Sequence, residues 1–129
     1  MRRLLFASLI VLVVPSAGSA EEIAREKPKR FPVTIQVDFG SAGQPSHQEQ
    51  VLVDEGTTPK DAVSILFPIQ SGEACCNTRE LIAINGVRID PAKNRWWNCR
   101  VNGSPQVSSF RTEVKPEDRI EWVYAERPQ

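Results

Sequence analysis

The sequence predicts an α+β domain: a mixed sheet of about five short strands with one short helix packed on it. Three observations carry that expectation. Apolar residues alternate with polar ones in several separate runs, most clearly "VTIQVDF" (Val33–Phe39) and "RIEWVY" (Arg119–Tyr124). A single segment, "TTPKDAVSILF" (Thr57–Phe67), carries a helix start instead. The apolar N-terminus reads as removable, leaving 109 of 129 residues, which is enough for one core and too few for two.

The first twenty residues have the parts of an export signal. Arg2 and Arg3 form the positive n-region, Leu4–Val14 the apolar run, and Gly18 and Ala20 place small residues before Glu21. A membrane-crossing helix needs about 20 apolar residues, so this run is too short to be a stable span. No cysteine follows it, which argues against a lipid anchor, and the rest of a twin-arginine signal is missing. Residues 1–20 are therefore expected to be a signal peptide and the mature chain to be secreted or periplasmic. Residues 21–30, "EEIAREKPKR", are charged and read as a flexible leader.

The domain proper is expected over residues 31–125, followed by a tail at 126–129. Val33, Ile35, Val37 and Phe39 share one face of the first strand. "GSAGQPS" (Gly40–Ser46) is a loop by composition, and Gln48–Val53 returns as the second strand of a long-looped hairpin. In the helix, Thr58 caps the amide of Asp61, Pro59 suits the first turn, and Asp61 complements the dipole. Ala62, Val63 and Leu66 form its apolar face with Ile65 beside them, and Pro68 ends it. "IQSGEACCNTR" (69–79) has no period and reads as a loop. Leu81–Ile84 is a strand turning at Asn85-Gly86, a strong hairpin signal because both residues tolerate positive φ. "RIDPAKNR" is a polar connection. "WWNCRV" (Trp96–Val101) is a strand turned by Asn102-Gly103, and residues 104–114 are extended with Phe110 buried. "KPED" forms a type I-like turn with Pro116 at its second position. Ile120, Trp122 and Tyr124 close the fold on one face. This order fits a β-grasp-like arrangement.

The same succession resembles the transcobalamin-like C-terminal domain family. The resemblance runs over about residues 31–125 and rests on several short motifs in order. A Gly-Thr turn enters the helix at "EGTTPKDAV". Trp97, Val101, Asn102 and Gly103 match a tryptophan shortly before Val-Asn-Gly. Asp118, Ile120, Trp122 and Tyr124 match the closing motif, with Glu117 where the family usually has glycine. In transcobalamin and intrinsic factor this domain caps a cobalamin held mainly by a separate helical barrel. The mature chain of 109 residues is expected to hold the small domain without such a barrel, so the resemblance implies the fold more than it implies the cofactor. No cofactor is expected from the residues themselves, and cobalamin only by resemblance.

Charge excludes some partners. Arg2 and Arg3 leave with the signal peptide, so 14 basic residues face 16 acidic ones, with no basic stripe for nucleic acid or an anionic membrane. Catalysis lacks its usual parts. His47 is the one histidine, beside Ser46 and Glu49, and there is no Gly-rich phosphate loop, His-Glu pair or calcium loop. No catalytic residue is expected. Export permits disulfides, and among Cys75, Cys76 and Cys99 a bridge from the vicinal pair to Cys99 is expected. The three cysteines match no zinc spacing, so no metal site is expected.

Binding remains. Alternation puts Trp97, Cys99 and Val101 on the core face and Trp96, Asn98 and Arg100 on the other. Trp96, Asn98 and Arg100 are the candidate ligand-binding residues, because an aromatic, an amide and a guanidinium on one strip suit stacking and hydrogen bonding. Expected partners are an extracytoplasmic small molecule, glycan or protein. The alternative function is a small disulfide-stabilised inhibitor or structural cell-envelope protein, engaging its target through Gln70–Arg79.

Overall fold

The computed structural model describes residues 29–72 and 80–128. The expected signal peptide, nearly all of the leader, and Cys75 and Cys76 lie outside these residues. The described chain is α+β, with strands in two sheets and one α-helix. The elements run β1 (Arg30–Asp38), β2 (His47–Asp54), α1 (Pro59–Leu66), β3 (Ile69–Ser71), β4 (Leu81–Ile84), β5 (Val87–Arg88), β6 (Trp96–Val101) and β7 (Arg119–Ala125). No described helix is long and apolar enough to cross a membrane.

The larger sheet has the order β2-β1-β7-β6 and the smaller one β3-β4-β5. β1 pairs antiparallel with β2 and parallel with β7, so the larger sheet is mixed. Two short strands therefore replace what reads as loop in the sequence. β3 occupies the start of the 69–79 segment, and β5 follows the Asn85-Gly86 turn. Strands of two or three residues are too brief to display an alternation, which is why pattern alone passes over them. The expected single sheet of about five strands is thus two sheets. β1 also begins one residue early: Arg30 pairs with Asp54 at 2.9 Å, and Glu55 donates to the Lys29 carbonyl at 2.8 Å.

One face of the larger sheet forms the core. Val33, Ile35, Val37 and Phe39 are buried, as are Ile120, Trp122 and Tyr124, and Trp97 and Val101 on β6. Helix α1 packs on this face. Thr58 accepts the Asp61 amide at 3.2 Å, and Trp122 Nε1 donates to the Pro59 carbonyl at 3.2 Å. Ala62 and Val63 are buried while Ile65 is exposed, because the helix has only two turns and presents a narrow face. Two hydrogen bonds join the sheets: Trp97 Nε1 to the Val87 carbonyl and Tyr124 OH to the Arg88 carbonyl, both at 2.8 Å. Phe39 meets Phe67 and Trp97 edge-on at 5.6 and 5.5 Å between ring centroids. Such pairs are worth about 1 kcal/mol each beyond their area.

Two local expectations are corrected. Val114, not Phe110, is the buried residue of the 104–114 segment. Its amide donates to the Thr57 carbonyl at 2.8 Å, which pins this residue beneath the helix start and leaves Phe110 half-buried. The Lys115–Asp118 turn has Glu117 at φ 65°, a positive value that belongs to type II and not type I. Asp118 sets this geometry by accepting from the Lys115 amide and from Asn102 Nδ2, both at 2.8 Å.

Candidate functional site

β6 is an edge strand, and its two faces have different duties. Trp97 and Val101 are buried in the core and Cys99 is half-buried between them. On the opposite face lie Trp96, Asn98 and Arg100, in register with Ala125, Val123 and Glu121 of β7. The strand thus brings the three candidate residues onto one strip.

Their surroundings differ sharply. Trp96 Nε1 donates to Asn94 Oδ1 at 2.9 Å, and the Arg127 guanidinium lies over its ring at 4.6 Å from the centroid. Asn98 is engaged at both ends of its amide. Its Nδ2 reaches the carbonyls of Trp96, Val123 and Ala125 at 3.2–3.4 Å, and its Oδ1 accepts from Arg127 Nε at 2.9 Å. Arg127 Nη2 also donates to the Trp97 carbonyl at 3.3 Å. Arg100, by contrast, is exposed and makes no side-chain hydrogen bond or ion pair among the described residues.

Arg127 is the residue that sequence reasoning misses, having been assigned to the tail. Continuing the β6–β7 register two residues past Ala125 sets it opposite Asn94, and those two residues bond: Asn94 Nδ2 donates to the Arg127 carbonyl at 3.0 Å. The signal was available in the period of the last strand, which carries Glu121, Val123, Ala125 and Arg127 to one face. Asn94 itself sits at φ 55°, where asparagine is better tolerated than most residues.

A cleft of about 600 Å³ runs beside β6. Trp97, Cys99, Leu81, Val107 and Phe110 supply apolar walls, and Asn98, Arg100, Ser108, Ser109 and Arg127 polar ones. Apolar walls with a few placed polar groups are what a small-molecule or peptide site requires. Burial pushes the Cys99 thiol up to about 12, so at neutral pH the thiol stays protonated and is a poor nucleophile. Among the described residues it has no disulfide partner, and the expected partners Cys75 and Cys76 lie outside them. The same holds for most of the Gln70–Arg79 loop. No group of three or more His, Cys, Asp or Glu side chains gathers among the described residues as a metal set would. His47 is half-buried and packs edge-on against Phe67 at 5.5 Å between centroids.

No protein-family model matches the chain, and no curated protein matches its sequence. Solved structures do match. The chain is similar to a candidate metal-binding protein from Ruminococcus gnavus ATCC 29149, with 20% identity and a TM-score of 0.53 over 76% of this chain and 99% of that one. It is also similar to part of haptocorrin, in its structure with Cbi, with 12% identity and a TM-score of 0.61 over 78% of this chain. The match spans about a quarter (26%) of the haptocorrin chain. Identities this low speak to the fold, and a fold shared with haptocorrin is consistent with the transcobalamin-like resemblance.

Proposed function

We propose that this chain is an exported, non-enzymatic module that binds a small molecule, glycan or protein in the cleft along β6. The observation that carries this reading is the cleft itself, in which the guanidinium of Arg100, without a partner among the described residues, stands beside apolar walls. Arg100 is the anchoring charge, and Asn98 holds the cleft-lining Arg127 in position, with the neighbouring Trp96 ring stacked beneath its guanidinium. The protonated thiol of Cys99 supports binding over nucleophilic or redox chemistry. Affinity capture from the native secretome tests the reading. Wild-type protein should enrich one ligand or partner, and Trp96→Ala with Arg100→Ala should weaken capture at least tenfold while circular dichroism stays unchanged. Undiminished capture by the folded double variant rejects this face.

A second reading is favoured by the similarity to haptocorrin, whose solved structure holds Cbi. In it the chain contributes a capping surface for a corrinoid held chiefly by a helical-barrel partner. An absorbance titration with a corrinoid, alone and with such a partner, separates the two readings: a spectral change only with both proteins present supports the capping role.

A further inference from the structure

The other edge of the larger sheet, β2, carries an independent surface. We propose that β2 is a self-association edge, pairing antiparallel with β2 of a second copy about a two-fold axis at Val51.

The phase of the strand follows from one bond. Glu55 donates to the Lys29 carbonyl, and this pair continues the register that sets Arg30 opposite Asp54. In an antiparallel ladder bonded pairs alternate with non-bonded ones, so Val53, Val51 and Glu49 direct their backbone groups to β1. Gln48, Gln50 and Leu52 then turn their N–H and C=O groups outward. No described strand takes them up, since β2 ends the sheet order.

This edge carries little of the usual protection, its charges being confined to Glu49 and the terminal Asp54. Natural edges carry lysine, proline or a bulge to prevent pairing. Here eight consecutive residues, His47–Asp54, keep an unbroken register with β1, with no lysine, proline or bulge, and of the outward residues Gln48, Gln50, Leu52 and Asp54 only the last is charged. Leu52 is 64% exposed, the largest exposure among the large hydrophobic residues described.

Charge and Leu52 together select the register, since an axis at Gln50 also avoids like charges but sets each Leu52 opposite Gln48 and the two leucines apart. An axis at Glu49 would oppose two carboxylates of the same sign, which destabilises a strand pair. An axis at Val51 instead sets Val51 against its own copy, Glu49 against Val53, and Gln50 against Leu52. It also brings the two Leu52 side chains into diagonal reach, and it sets Asp54 opposite Gln48. No like charges meet, and the exposed apolar residue is covered. Seven residues per chain overlap, well short of the roughly 20–30 residues a side of a standard interface, so a weak, concentration-dependent dimer is expected.

Sedimentation of the mature chain under reducing conditions, from low to several hundred micromolar, tests the proposal. A concentration-dependent dimer is expected. Gln50→Pro removes an outward N–H, and Leu52→Lys adds a charge at an exposed position. Each should weaken association at least tenfold with an unchanged melting curve. Val51→Cys should cross-link rapidly on oxidation while Glu49→Cys does not, because only residue 51 faces its own copy. A chain that stays monomeric throughout, variants that associate as wild type does, or cross-linking through position 49 and not 51 would each overturn it.

Discussion

At the residue scale, Glu117 carries the clearest strain. Its φ of 65° is a conformation that costs a residue with a Cβ about 1–2 kcal/mol, and only glycine adopts it freely. The resemblance that pairs this position with a family glycine thus acquires a conformational reason. Glu117→Gly is expected to stabilise the fold by about 0.5–1 kcal/mol, the strain relieved less the added entropy of the unfolded chain. Urea unfolding of the two proteins measures this, and a destabilised variant contradicts it. Cys99 supplies a pH dependence. Its thiol titrates near 12 in the fold against an ordinary value of 9.0, because burial disfavours the thiolate. The folded state therefore holds a proton that the unfolded chain releases, so stability is full below pH 9 and declines as pH rises towards 12. In reduced protein Cys99→Ala should flatten that alkaline decline, and iodoacetamide at pH 8 should modify native Cys99 far more slowly than the unfolded chain.

At the element scale, turns decide how closely the strands approach. The 3-10 turn at Gly40–Ala42 leads from β1 across the end of β7, and Gly40 has φ 51° with the Tyr124 carbonyl where a Cβ would stand. No rotamer relieves that clash, since the obstacle is backbone. Gly40→Ala is expected to cost about 2–3 kcal/mol from strain and the shift of β7, read as a lowered thermal midpoint; an unchanged midpoint would show the turn to be free to move. The β6 strip is governed by the same kind of dependence. Trp96, Asn98 and Arg100 share a face by period alone, yet Arg127, which comes after the last strand, covers one of them and bonds another. Of the three, Arg100 alone has a polar group without a partner among the described residues.

At the scale of the whole molecule, two sheets and a helix share a core in which no described residue is both buried and polar or charged. The residues of that core were legible from period-two alternation in β1, β6 and β7, because each of those strands has one wet and one dry face. The helix start was legible from Thr58, Pro59 and Asp61, whose effects are local. Phe110 and Val114 were not separable in this way: the segment has no period, and a hydrogen bond to Thr57, distant in sequence, chose between them. The short strands β3 and β5 exist because β4 lies between them to be paired, a condition no local residue expresses. By itself, then, the sequence determined which residues of the alternating strands turn inward, since burial there follows local patterning. Only the tertiary structure decided that there are two sheets, that Arg127 closes over the β6 strip, and that β2 and β6 are edges, since each depends on contacts between residues far apart along the chain.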